Sequence, residues 1–498
     1  MKKRLSLLLA CTLCLCFFTG CGDIEIGSAP TPAPLPVSET ETPAAEEIKG
    51  GGVSVITLTG SSAEVSGGGV SIDGSVVTIA SPGEYSVSGN LNNGCIVVNT
   101  GEVKGDVSLT LDNCSITCLD GPAIRVEQAK NFDLILGDGT ENRLVSGTAE
   151  SAPVTKLEGA ALFSEDDLDI LGGGSLEISG YLNNGITCKD DLDIMGGTLT
   201  VTAVNNGIKG SESVEITGGA ISVTAGNDGI KSTSAKKEGK GYVQISDGTI
   251  TVDAVGDGIS AETTMEITGG VISVTTTGDR ELISSKGLKA NGALTISGGE
   301  LTLASEDHAI HSTSDLTVSG GTISALSHAG KGLSSHATLT VNGGKIDLKS
   351  GDDGVAALSA LAISDGEITV LAGADGLKAG NKETASGTID ISGGTITVNA
   401  YGDAIDAKTS AAISGGSFVG TGASKQPQGF VGGTQRSVLF SFPGAAESVA
   451  QIRDEAGTVI GEIASSFAYT YAIYSAPDLA SGSFRLARGT LEATAAAN

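Results

Sequence analysis

From Leu168 to Gly416 the chain repeats one short pattern of apolar and polar positions. In one copy Val214, Ile216, Ile221 and Val223 alternate with polar residues, Gly218-Gly219 separates the two runs, and Ile230 follows Asp228-Gly229. Alternation with a period of two predicts strands with one buried and one wet face. The glycine pair predicts a sharp turn, because glycine takes positive φ without steric cost. Its second glycine recurs from Gly174 through Gly197, Gly219 and Gly248 to Gly416, at intervals of 22 or 23 residues with three longer ones of 28 or 29. A fixed period in this range marks a repeat architecture, here with three inserted loops. No copy leaves room for an amphipathic helix. The pattern therefore predicts an all-β fold, a parallel β-helix of about 22 residues per coil, in which each coil buries its apolar face by stacking on the next. The rival calcium-binding nonapeptide roll requires a Gly-Gly-x-Gly-x-Asp phrase that the repeat lacks.

Both ends depart from the repeat. Residues 53–158 carry irregular strands anchored at Ile79, Tyr85, Val87, Ile96, Leu109, Leu111 and Leu134, which predict about four less regular coils and a cap. Beyond Gly416, apolar runs at Ser437–Phe440, Ser448–Ile452, Thr458–Ile460 and Tyr469–Tyr474 predict a small C-terminal β module closing the other end. At the start, Met1-Lys2-Lys3-Arg4 and the apolar run to Phe18 form a secretory signal, too short to span a bilayer by itself. The phrase Phe18-Thr19-Gly20-Cys21 is similar to the bacterial lipoprotein processing box, which implies cleavage before Cys21 and lipidation of its thiol. The Pro-, Thr- and Glu-rich stretch that follows reads as a disordered tether. The expected organisation is thus a signal over 1–20, a lipid-anchored tether over 21–52, the β-helix over 53–424 and the terminal module over 425–498. That places a monomer on the extracellular face of the cell membrane, held only by its lipid.

Composition sharpens this picture. Glycine numbers 74, aromatics are 3% and Trp is absent, which suits thin stacked coils. The net charge is −29, and loss of Lys2, Lys3 and Arg4 leaves 26 basic against 58 acidic residues. Such a chain repels nucleic-acid phosphates. Of the cysteines outside the signal and Cys21, Cys114 and Cys118 lie on one strand face about 13 Å apart, too far for a disulfide. Cys95 with Cys114 on adjacent coils is the candidate bridge, against the plainer reading of Cys95, Cys114, Cys118 and Cys188 as buried thiols.

Aligning the coils puts Asn184, Asn206, Asp228, Asp257, Lys286, His308, Lys331, Asp353, Asp375 and Asp403 on one edge, with Asp352 beside Asp353. Parallel strands lie about 4.8 Å apart, so consecutive aspartates on this edge repel unless separated by solvent or bridged by a cation. Ca²⁺ suits such a set, since it takes several oxygen ligands in loose geometry. The competing reading is a ladder of turn Asp and Asn residues bonded to backbone. Three places later a second edge carries Lys209, Lys231, Lys289 and Lys378, able either to bind a polyanion or to balance the aspartates. Gly351-Asp352-Asp353-Gly354 is similar to a polygalacturonase phrase, but it falls in the repeat frame and that family's other phrases are missing. His308, His311, His328 and His336 cluster over two coils without the spacing of a standard zinc site.

Taken together, Gly83–Gly89, Gly121-Pro122-Ala123-Ile124, Gly137–Asn142 and the repeated Asn-Asp-Gly-Ile-Lys resemble a bacterial carbohydrate-binding domain family. The resemblance runs from about Ile56 to Arg488. It implies a right-handed parallel β-helix similar to pectate lyases, with bound Ca²⁺ and binding to pectic acid and cellulose. Carried over by position, the Ca²⁺ edge maps to Asp228, Asp257, Asp353, Asp375 and Asp403, interrupted at Lys286, His308 and Lys331. No catalytic residue carries over. The sequence is read as a surface lipoprotein that binds acidic plant polysaccharide without catalysis. A calcium-dependent polysaccharide lyase and an adhesive stalk are the alternatives.

Overall fold

A computed structural model describes residues 52–103, 105–153, 159–384 and 386–498 of the chain. The expectations placed on residues 1–51, including the signal, Cys21 and the tether, lie outside the described residues. The described part belongs to one compact unit, Gly51–Asn498, and contains no α-helix.

The repeat builds coils as the pattern predicts. The phrase around Gly219 folds as three strands, Ser213–Ile216, Ala220–Ala225 and Ile230–Ser232. Each pairs in parallel with its counterpart one repeat later, Val214 opposite Val243, Ile221 opposite Ile250 and Ile230 opposite Ile259. Identical apolar residues thereby stack in columns, and Val214, Ile216, Ile221, Val223 and Ile230 are all buried. This is the strand order of a parallel β-helix. One broad sheet of 26 strands takes two strands from most repeat coils, or one long strand such as Thr338–Ser350 from the last ones, and a narrow sheet of 15 takes the third.

Two kinds of glycine make the coil close. The turn glycine Gly219 has φ 91°, in the left-handed region that L side chains rarely adopt. Gly229 is required for a different reason: a Cβ there would stand 2.2 Å from Cγ1 of Val252 on the next coil. The Asp-Gly pair thus marks where backbone must pass directly beneath a neighbouring valine.

At the N-terminal end the coils give way to antiparallel pairs, Ser54–Gly60 with Ala63–Ser66 and Val70–Asp73 with Val76–Ile79. At the other end Tyr469–Ser475 pairs antiparallel with both Ser410–Gly422 and Ser437–Gly444. A four-stranded antiparallel sheet completes the C-terminal stretch, built on its own cluster of Val438, Phe440, Phe442, Ile452, Ile463 and Leu486. The stretch expected as a separate module is therefore joined to the last coil by continuous β-pairing.

Candidate functional site

Every strand of the narrow sheet from Ile186–Cys188 to Ile405–Ala407 is three residues long. In Ile230-Lys231-Ser232 and Leu377-Lys378-Ala379 the flanking residues are buried and the middle one points outward. Pairing locks these middle residues into one row: Lys209 opposite Lys231, Lys231 opposite Ser260, Ser260 opposite Lys289, and Ala356 opposite Lys378. His311 and Ser334 occupy the places between. The lysine edge read from the sequence is a physical row.

The acidic edge is also a row, but its oxygens are engaged. Oδ1 of Asp228 accepts the N–H of Asp257 (2.8 Å), and Oδ1 of Asp257 accepts the N–H of Lys286 (2.9 Å). The same bond joins Asp353 to the Asp375 N–H and Asp375 to the Asp403 N–H. Asn184 and Asn206 begin this ladder with amide oxygens, and the His308 Nδ1 continues it by accepting the Lys331 N–H. The residues one coil apart are thus tied side chain to backbone, across coils rather than within one turn.

The second oxygen of Asp228, Asp257, Asp353 and Asp375 meets a lysine. Asp257 pairs with Lys289 at 2.9 Å and Asp228 with Lys231. Asp353 is held by Lys331 and by Lys378 (3.2 Å), and Lys378 also reaches Asp375 (2.6 Å) and Asp406 (3.6 Å). Asp352 is more open, 3.4 Å from Lys331. Asp403 accepts from the Tyr471 hydroxyl (3.0 Å), which itself accepts the Ala404 N–H. The side chains of Asp257 and Asp353 are only 2% and 1% exposed, so these carboxylates lie behind the lysines rather than on the surface.

The electrostatics follow from this packing. Burial opposes the charge on Asp375, but Lys378 and the Asp403 N–H outweigh it and hold the carboxyl below its usual range. Burial likewise disfavours the Lys378 ammonium, yet Asp375 and Asp353 raise its pKa. Lys209 differs. It lies within ion-pair distance of no carboxylate among the described residues, and burial with the neighbouring Lys231 pulls its pKa down.

These residues do not fit Ca²⁺ along the edge. A calcium ion needs six to eight oxygen ligands, whereas four of the mapped aspartates present oxygens already bonded to N–H and ammonium donors. No cluster of three His, Cys, Asp or Glu among the described residues has the arrangement to hold a metal ion.

Beside Lys331 and Lys378 the sheet dips into a cavity of about 140 Å³, lined by His308, Ser334, His336 and Asn381. Small-molecule pockets usually measure about 300–1,000 Å³, so this one suits a single group of a larger ligand. Burial keeps His308 and His311 neutral, with pKa values lowered to about 4 and about 3. The rings of His311 and His336 meet edge to face at 4.8 Å.

Sequence reasoning placed Lys286 on the edge but missed its partner, and it missed Lys237, Lys240 and Tyr471. Lys286 pairs with Asp307 at 2.6 Å. Lys237 and Lys240, on an inserted loop, fold back onto Glu212 and Asp191. Tyr471 closes the acidic edge from 68 residues away. Only the loop lysines had a signal, since Lys236-Lys237-Glu238-Gly239-Lys240 breaks the repeat with a basic run.

A family model described as carbohydrate-binding domain-containing protein matches residues 73–330 and 325–432. A carbohydrate-binding domain-containing protein of Acetivibrio thermocellus is 36% identical over 129 residues. That match covers 26% of this chain and 45% of the relative, so the chain spans less than half of its length. A solved structure described as the polysaccharide lyase-like protein from C. thermocellum, in a gadolinium derivative, is 35% identical, with a TM-score of 0.45. It covers 49% of this chain and 96% of its own. With the family model matching well over half of its length, this chain belongs to the family of carbohydrate-binding domain-containing proteins.

Proposed function

We propose that the chain is a cell-surface lipoprotein whose right-handed β-helix binds an acidic polysaccharide, such as pectic acid, along the narrow sheet. One observation carries this reading: Lys209, Lys231, Lys289 and Lys378 stand in a single register-locked row on the outer face of that sheet. A charged polymer laid along the solenoid axis meets this row over several coils. Lys209 has no carboxylate within ion-pair distance among the described residues, and Lys231 and Lys289 each meet one aspartate, which uses only part of an ammonium's three donors. The cavity beside Lys378 would receive one side group of the polymer. The right hand of the coil accords with the rule for parallel β crossovers. Without Trp, sugar stacking is minor and recognition is ionic and hydrogen-bonded. Calcium has no step in this reading, because its expected ligands already accept backbone N–H and lysine donors.

Binding is non-catalytic and the protein acts as a monomer. The test is retention on immobilised polygalacturonate. Lys209→Met with Lys231→Met should weaken retention about tenfold or more, and a neutral polymer should retain the chain no better than a blank matrix. Equal retention of the double variant would overturn the lysine row. Chelator should leave retention unchanged; its loss on chelation would restore the calcium ion.

One observation favours a second reading, a polysaccharide lyase. Lys209 combines partial burial, a lowered pKa and no carboxylate partner, which are properties of a general base. Release of unsaturated uronides absorbing in the ultraviolet, abolished in Lys209→Met, would establish that reading.

For the anchor, Cys21→Ser should release the protein into the medium, while the unaltered chain fractionates with membranes. Equal release of both would remove the lipid from the proposal.

A further inference from the structure

Cys95 and Cys118 sit at the same corner of two neighbouring coils. The Gly94 N–H donates to the Thr117 carbonyl (2.9 Å), and the Leu119 N–H donates to Oδ1 of Asn93 (3.1 Å). These bonds bracket the two cysteines, residue before to residue before and across the corner. The flanking strands pair Leu91 with Ile116 and Ile96 with Ile124, so the two cysteines face each other diagonally across this corner. Both thiols are partly exposed, whereas Cys114 and Cys188 are buried. The two thiols are close enough to shift each other's titration, Cys95 upward and Cys118 downward.

A cation stands beside the pair. Arg125 follows on the next strand of the narrow sheet, opposite Val97, two residues along from Cys95. Its guanidinium bonds Glu127 at 2.7 Å, but its buried Nε has no hydrogen-bond partner. The Cys118 thiol is pushed down to about 6 by the Cys95 thiol beside it, against burial and with help from the Asp120 and Gly121 N–H groups. A thiol so placed is partly ionised at neutral pH, and the thiolate is the attacking form.

We propose that Cys95 and Cys118 are a redox-active pair that closes to an intramolecular disulfide, clasping two N-terminal coils, with Cys118 as the attacking thiol. The oxidant class is a small-molecule disulfide. The Cys118 thiolate attacks one sulfur of oxidised glutathione, breaking its S–S bond and releasing one glutathione thiolate. Cys95, its proton passed to solvent, then attacks Cys118 Sγ and releases the second. Two cysteine thiols are oxidised and one disulfide is reduced to two thiols, with both protons exchanged through water. The clasp is independent of the carbohydrate reading, and it replaces the Cys95–Cys114 pairing considered from sequence.

The test uses the full chain at graded ratios of oxidised to reduced glutathione, alkylated under native conditions and mapped by peptide mass spectrometry. A linked Cys95–Cys118 peptide, lighter by two hydrogens, is expected, with Cys114 and Cys188 alkylated only after denaturation. Separate alkylation of Cys95 and Cys118 at every ratio, or a Cys95–Cys114 link, would overturn the clasp. Cys95→Ser should trap glutathione on Cys118 several-fold faster than Cys118→Ser traps it on Cys95. Equal trapping would overturn the assignment of Cys118 as the attacking thiol.

Discussion

At Asp257 a single side chain performs two jobs that differ in their chemistry. Oδ1 takes the Lys286 N–H of the next coil and Oδ2 takes the Lys289 ammonium. Asp257→Asn keeps an acceptor for the N–H and loses only the charge. Asp257→Ala leaves a buried N–H and an ammonium without partners, which costs roughly 1–3 kcal/mol for the N–H alone. Chemical denaturation should therefore rank Ala below Asn by at least about 1 kcal/mol, and equal midpoints would remove the side-chain ladder as a stabilising feature. The aspartate edge was legible in the sequence, because a fixed repeat places every copy in register. Engagement of its oxygens was not, because the donors are backbone N–H groups and lysine side chains whose approach repeat spacing does not encode.

The histidines belong to the same scale. His308 and His311 have folded pKa values of about 4 and about 3, below the unfolded value of about 6.5. Between those limits the unfolded chain binds more protons, so these residues lose stability for the fold as pH falls. Asp169 and Asp193 act in the opposite sense. Burial and like-charged neighbours raise them to about 6 and about 7, so their contribution grows as pH falls. The two effects separate in His311→Gln. Its deficit against the unaltered chain should shrink by about 2 kcal/mol between pH 6.5 and 4.5. A deficit that stays constant across that window would contradict the neutral, buried imidazole.

Strands carry a second acidic ladder that has no lysine row before it. Asp133, Asp169, Asp193 and Glu215 are consecutive partners on the broad sheet. Like charges directly opposite destabilise a sheet by roughly 0.2–1 kcal/mol each. Asp193→Asn should accordingly raise stability at pH 7 by a few tenths to about 1 kcal/mol, and a loss of that size would show the carboxylate to be engaged favourably. Strand positions and their pairing were the most legible part of the chain, since Val214, Ile221 and Ile230 each recur with the coil. Loops inserted into the repeat were legible as interruptions only. Where Lys237 and Lys240 land depends on the loop's own path, which no periodicity encodes. The cysteine pair escaped for a related reason. Spacing along one strand separates Cys114 from Cys118, but the partner of Cys118 is set by a corner stacked beneath it.

For the whole molecule, a net charge of −29 would repel an acidic polymer at long range. Attraction arises only where the lysine row presents cations at short distance, with the paired aspartates buried behind it. Screening acts over about 10 Å at 0.1 M salt, so it weakens the diffuse repulsion as well as the local contacts. Local contact must dominate for the chain to bind at all. That is the central claim, and retention of the full chain on immobilised polygalacturonate, beside the Lys209→Met/Lys231→Met variant and with chelator present, tests it most directly. The account predicts strong retention by the unaltered chain, about tenfold weaker retention by the variant, and no effect of chelator. Retention that ignores the lysine substitutions, or that vanishes with chelator, would contradict it.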